Sequence, residues 1–336
     1  MPAGEPPERR PPLAGPLGFG ASALVGGRTR REALRLLAAA YDADVRHLDV
    51  ARVYGTGDAE SVVGAFARGR REELTIATKF GIDPLRRSPL TGLAKRALRL
   101  ATRRSRRLLG AARRHSGRTV SRGDFSVEKA RASLRTSLGE LGVGWVDAYL
   151  MHDCEAEDWA GEQLRAALAE LCEDGLVRAF GTATSQAATR EILARGPAPP
   201  LAQFDSSTIA PGPVAGLRQA GSFTVTFAPL RDSLPALVGR VAGDPDLAAS
   251  WSRALELDAA SPDTLAELLL ADALARNRGG VVLFSSGSER RIARAGAIAA
   301  HSPFADDQLR RFRELVAPLA PARAPAQAST AADRSS

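Results

Sequence analysis

Four residues of this 336-residue chain could together move a proton to or from a substrate oxygen: Asp49, Tyr54, Lys79 and His152. A phenol titrates near 10, too high for easy donation and return at neutral pH. A neighbouring ammonium favours the phenolate and lowers that value, and a carboxylate paired with the ammonium holds it in place. A neutral imidazole can hydrogen-bond a carbonyl oxygen and orient it. The set therefore suits protonation of an alkoxide as a hydride arrives at carbon. Taken singly, each has an ordinary structural reading: an ion pair for Asp49 or Lys79, a satisfied interior histidine for His152, a half-buried ring beside a glycine turn for Tyr54.

The elements around them explain why the four should meet. Short β-rich runs alternate with amphipathic stretches almost from end to end. Strands are expected at Leu17–Gly20, Val45–Asp49, Leu74–Phe80, Trp145–His152, Val177–Thr182, Leu201–Asp205, Phe223–Phe227 and Val281–Phe284. Helical patterns fill Arg30–Ala43, Glu60–Arg68, Val127–Leu141, Glu162–Glu173 and Leu265–Arg276, with apolar residues on one side of each. Ser126 and Ser261-Pro262 are helix-start signals, and Gly175 sits where a helix hands over to a strand. Eight strands alternating with helices imply an α/β fold, a (β/α)8 TIM barrel with large loop insertions on its C-terminal face. In such barrels the chemistry lies at the C-terminal strand ends, where Asp49, Tyr54, Lys79 and His152 fall. The expected layout is a disordered Pro-rich lead-in at 1–16, one barrel domain at 17–318, and a disordered tail at 319–336. Insertions are expected at about 82–122 and 231–261.

At these residues the chain resembles the aldo-keto reductases, near their aldose dehydrogenase branch. LDVARVYGTGDAESVVG is similar to that family's Asp-to-Tyr-Gly signature, and ELTIATKFG to its lysine strand. FSVEKARASLRTSLGELGVGWVDAYLMHD is similar to its long helix and histidine strand. The resemblance runs from about Leu17 to Ala300 and implies a catalytic tetrad of Asp49, Tyr54, Lys79 and His152, with Tyr54 as general acid. It also implies a nicotinamide cofactor beside Gly20 and Ala21, with Gln203 at the carboxamide and Phe227 stacking in place of the usual tyrosine. Where the family has a Ser-Asn pair this chain reads Ala183-Thr184, so Thr184 is expected to supply part of that function. The stretch VVLFSSGSERRIARA is similar to the family's grip on the adenosine 2′-phosphate. It has Ser285 at the family's Lys position, Ser286 kept, Arg291 matching the family's Arg, and Arg294 in place of an acid. A guanidinium holds phosphate bidentately, so NADP(H) is expected, with NAD(H) possible. A Rossmann reading of Gly18-Phe19-Gly20-Ala21-Ser22-Ala23 fails for want of a long preceding strand, and because Gly26-Gly27 stand where the helix should begin.

The resemblance implies NADPH-dependent reduction of an aldehyde or ketone. Two alternatives stand beside it: NAD(P)+-dependent oxidation of an aldose or secondary alcohol, and a cofactor-binding accessory or regulatory subunit with little turnover. Composition narrows the remaining classes. Cys154, Cys172 and the four histidines do not cluster at metal-ligand spacing, so no metal site is expected. No apolar run reaches membrane-spanning length and the N-terminus lacks a signal-peptide pattern, so a cytoplasmic location is expected. The net charge of +8 is concentrated: thirteen Arg and Lys, and no acids, lie between Pro84 and Gly123. Removing those thirteen from 46 leaves 33 cations against 38 acids. This basic segment, 84–122, is read as a lid or as a docking surface for an acidic partner; without aromatic residues it offers bases no stacking platform, which disfavours nucleic acid. Trp251 and Trp159 are candidate pocket residues and Trp145 a core residue.

Overall fold

A computed structural model describes residues 13–24, 28–84 and 123–319. The basic segment beyond Pro84, the Pro-rich lead-in before Leu13 and the tail from 320 lie outside the described residues. Eight parallel strands close on themselves: β1 Leu17–Gly20, β2 His47–Asp49, β3 Thr75–Phe80, β4 Val146–His152, β5 Val177–Thr184, β6 Leu201–Asp205, β7 Phe223–Phe227 and β8 Val281–Phe284. Strand β8 pairs back onto β1 through Leu17–Val282 and Phe19–Phe284. The helices α1 Arg30–Asp42, α2 Ala59–Ala67, α3 Val127–Leu141, α4 Ala156–Ala160, α5 Glu162–Glu173 and α6 Gln186–Arg195 cover the first strands. The circuit continues with α7 Val214–Gln219, α8 Ser233–Ala242, α9 Pro245–Leu255, α10 Pro262–Arg276, α11 Glu289–Ala300 and α12 Asp306–Val316.

Local chemistry sets these boundaries. Ser126 caps α3 by accepting from the Lys129 N–H, and α3 stops at Gly142, whose φ of 64° is the left-handed conformation that ends helices. Ser261 caps α10, with Pro262 in the first turn where its missing N–H costs nothing. On α1, Thr29 and Glu32 form a reciprocal capping box.

Two apolar layers hold the barrel. Helices and outward strand faces form the larger, through residues such as Leu37, Val63, Leu134, Leu168 and Ile292. Inside the barrel, Ala77, Ala148, Leu150, Leu201, Val225 and Val281 pack together, and Leu13 joins them at the N-terminal mouth. Each buried Leu or Val contributes about 1.5–3 kcal/mol, so the interior is a packed core rather than a pore. No helix among the described residues is long and apolar enough to cross a membrane.

The region expected as the second insertion folds into α8 and α9. It does not deliver Trp251 to a pocket: Trp251 is buried in the apolar layer where α9 packs on α8 and α12. Trp159 is likewise interior, donating from its indole N–H to the Pro197 carbonyl at 2.7 Å. Trp145, expected in the core, is half-buried between the guanidinium groups of Arg71 and Arg178, 4.3 and 5.2 Å from its ring.

Candidate active site

Strand register carries the chemistry to one rim. Gly20 pairs with Asp49, and Asp49 with Ala77, so Lys79 stands on the same face two residues further along β3. Across the barrel His152, Ala183 and Gln203 form one row over β4, β5 and β6. Tyr54 is delivered by a turn. Its N–H donates to the Ala51 carbonyl at 3.0 Å, and it opens a 3-10 turn, Tyr54–Gly57, in which Gly55 and Gly57 take φ values of 64° and 91°. The four residues expected to act together are thus brought together.

Lys79 is almost fully buried and spends its ammonium on Asp49 Oδ1 and Oδ2, both at 2.7 Å, and on the Val50 carbonyl at 3.1 Å. Burial pulls its pKa down, but the charges of Asp49 and Tyr54 outweigh this and hold it above the ordinary lysine value. Its Nζ lies 5.2 Å from the centre of the Tyr54 ring and acts on the phenol through its charge and through a side-chain hydrogen bond. That charge lowers the Tyr54 pKa, yet desolvation outweighs it and the phenol titrates above its ordinary value. This reverses the direction expected from Lys79 alone. The His152 ring meets Tyr54 edge to face, centroids 5.9 Å apart. Burial and, secondarily, Lys79 push His152 down to about 3, so its imidazole is neutral at physiological pH.

These groups line a cavity of about 970 Å3 that runs from the barrel mouth into the cleft between α10 and α11. Gly20 lines it, and a Cβ there would come within 2.6 Å of Ser285 Oγ, which itself donates to the Gly20 carbonyl. Gln203 is buried with Oε1 lacking a hydrogen-bond partner among the described residues, an acceptor at the cavity wall of the kind a carboxamide NH2 satisfies. Phe227 presents a ring at the wall, followed by Ala228 at φ 60°. Ser286 and Arg291 line the far end. An acceptor with no partner among the described residues, an aromatic ring at the wall with the Arg231 guanidinium 5.8 Å from its centre, and a side-chain-free strand end together fit a nicotinamide group.

Two expected cofactor residues are placed otherwise, and a third is already engaged. Thr184 lies off the cavity, its hydroxyl donating to the Cys154 carbonyl at 3.0 Å; Ala183 and Ser185 line the wall instead. Ala21 is wholly buried and the next residue, Ser22, faces the cavity. Arg294 does line the cleft, but Glu267 holds it through two contacts of 2.6 and 2.7 Å, so a phosphate must compete with a carboxylate already in place. Sequence reasoning also missed Asp153 and Arg231 at the cavity wall. Adjacency to His152 and to the end of β7 was the signal available for them.

The family model for the aldo/keto reductase family matches residues 16–204. A D-threo-aldose 1-dehydrogenase from a Pseudomonas species is 34% identical over 185 residues, which is 52% of this chain. The chain spans about half the length of that relative, 52%. Among solved structures, an aldo-keto reductase from Bacillus halodurans in its holo form superposes with a TM-score of 0.66 at 21% identity, covering 89% of this chain and 91% of that one. An aldo/keto reductase from Brucella melitensis superposes with a TM-score of 0.57 at 20% identity, covering 89% and 94%. A matching family model over residues 16–204, on a closed eight-stranded barrel, places this chain among its relatives: it belongs to the aldo/keto reductase family.

Proposed function

We propose that this chain reduces an aldehyde or ketone to an alcohol, with Tyr54 as general acid and NADPH as hydride source. The observation that carries the reading is the meeting of Tyr54, the buried Lys79–Asp49 pair and neutral His152 at one end of a cavity whose wall also holds the unpartnered Gln203 oxygen. A bound reduced nicotinamide supplies the hydride. Gln203, Phe227 and Gly20 would hold that ring, while Ser286 and Arg291 would meet the 2′-phosphate.

The residues divide the remaining work. His152, neutral, hydrogen-bonds the substrate oxygen and orients the carbonyl. Tyr54 donates to the same oxygen and gives up its proton as negative charge develops there. Lys79 stabilises the resulting phenolate through its charge, and Asp49 keeps that ammonium fixed rather than free to rotate toward the substrate. Because burial holds the Tyr54 pKa high, the phenol is fully protonated at neutral pH, the state reduction requires.

A second reading, oxidation of an aldose at its anomeric carbon, is supported by the 34% identity to D-threo-aldose 1-dehydrogenase. It uses the same residues in reverse, Tyr54 taking the proton. Activity of wild type and Tyr54→Phe toward aldehydes and ketones with NADPH, and toward aldoses with NAD+ and NADP+, tests both. The substitution is expected to lower kcat by about 10²–10⁴-fold while NADPH binding, followed by fluorescence titration, is retained. Full activity in Tyr54→Phe on the best substrate would falsify the proposed role.

A further inference from the structure

Tyr54 alone of the four rim residues stands off a strand. The parallel ladder fixes Asp49, Lys79 and His152, whereas Tyr54 lies in a turn whose Gly55 and Gly57 hold left-handed backbone. Glycine moves between conformations at little cost, so the phenol needs anchors on either side of the turn. After Tyr54, Glu60 of α2 is buried and accepts from the Thr78 hydroxyl at 2.7 Å, on the strand that carries Lys79. Before Tyr54, Arg52 reaches out of the rim toward α3. Its Nη1 donates to Ser133 Oγ at 2.9 Å and to Asp83 Oδ1, just beyond β3, at 3.1 Å. Lys129 of α3 pairs with the same carboxylate. The two contacts of Arg52 differ in weight. The Asp83 side chain is 53% exposed, where an ion pair adds little, while Ser133 is 2% exposed. None of Arg52, Ser133 and Asp83 lines the cavity.

We propose that Arg52 is a positioning residue: docked on Ser133, it sets where the Tyr54 phenol stands between Lys79 and the substrate oxygen. The inference rests on the oxidoreductase reading of the site and adds to it a residue that touches neither substrate nor cofactor. The stretch from Asp49 to Tyr54 is short and tied at successive points. The Val50 carbonyl accepts from Lys79 Nζ at 3.1 Å, the Ala51 carbonyl accepts from the Tyr54 N–H at 3.0 Å, and Arg52 ties the same stretch to α3. Only one residue, Val53, separates Arg52 from Tyr54, so little slack lies between the anchor and the phenol. Misplacing a reacting group by about 1 Å costs about 100-fold in rate. Loss of the anchor therefore falls on the chemical step and not on the affinity of the cavity for its ligands. Burial raises the Glu60 pKa, and the Arg52 charge is among the influences opposing it, so removing the guanidinium also costs stability.

The test uses wild type, Arg52→Ala, Ser133→Ala and the double variant, on the fastest of benzaldehyde, D-glyceraldehyde and cyclohexanone with NADPH and D-xylose with NAD+ or NADP+. It reads kcat, KM, the solvent deuterium isotope effect on kcat/KM, NADPH affinity and Tm. Arg52→Ala is expected to lower kcat by about 10- to 100-fold, with KM and NADPH affinity little changed. Ser133→Ala should give a smaller loss in the same direction, and the double variant should be no slower than Arg52→Ala, because both substitutions remove one contact. The solvent isotope effect should rise in each, since proton transfer with a displaced phenol becomes the slower part of the reaction. A purely structural role lowers Tm and leaves that effect alone. Should Arg52→Ala fail to fold, Ser133→Ala, which keeps the guanidinium, decides by kcat and the isotope effect. Unchanged kcat and isotope effect in the folded variants overturn the role of Arg52 and leave the oxidoreductase reading standing. So does a loss carried wholly by KM. Absence of wild-type turnover with all four substrates removes the oxidoreductase reading, and this inference with it.

Discussion

Burial works in opposite directions on the two titratable groups that face the substrate. It raises the phenol of Tyr54 and lowers the imidazole of His152, so both stay uncharged through the neutral range. The consequence is a pH profile set by Tyr54 alone. Reduction needs the protonated phenol, which persists below its raised pKa, so reductive kcat/KM should be flat across neutral pH and fall only in the alkaline range. Oxidation needs a proton acceptor, so its rate should climb as pH rises toward that same value. Since His152 titrates at about 3, no step near the ordinary histidine value is expected. A reductive profile bending at about pH 6.5 would show instead that His152 changes charge during turnover.

At the scale of elements, the rim is assembled from strand ends and the wall from helices that never touch the chemistry. Helices α8 and α9 illustrate the division. Leu234 and Pro235 of α8 line the cavity, whereas Trp251 of α9 is turned into the packing against α8 and α12. Replacing Trp251 by Ala should therefore cost stability, about 3–5 kcal/mol in urea unfolding, with substrate KM little changed at temperatures where the variant is folded. A large rise in KM with intact stability would return Trp251 to the pocket. The bland inner layer has a similar positioning role. Gly18 leaves room for His47, since a Cβ there would lie 2.6 Å from its ring, and the His47 imidazole fills the barrel beneath Asp49.

For the whole molecule, cofactor and fold should be linked. A ligand that binds only the closed barrel stabilises it by about 2.7 kcal/mol at one hundred times its Kd. NADPH is expected to raise Tm more than NADH at equal concentration, through Arg291, but the margin should be modest because Glu267 already occupies Arg294. In Glu267→Gln the guanidinium is released and the gap between the two cofactors should widen. Equal Tm shifts with NADPH and NADH in both proteins would remove the 2′-phosphate assignment.

Much of this was legible in the order of residues. Strand and helix periodicity, Ser126 and Ser261 as caps, and the residues Asp49, Lys79 and His152 at strand ends with Tyr54 in the turn after β2 depend on local sequence alone, because pleat, helical pitch and chain order are local properties. The tertiary structure decided what local order cannot express. Whether Thr184 or Ser185 meets the cavity turns on a one-residue change of face at the end of β5. Arg294 is engaged by Glu267, 27 residues away on another helix, a pairing no spacing rule reveals. The net direction of the Tyr54 pKa follows from desolvation by atoms gathered from many strands, which outweighs the Lys79 charge that sequence reasoning had credited. Residue types and their order thus determined which groups could do the chemistry. Packing alone decided which of them face the cavity, which are already paired, and how strongly water is excluded from them.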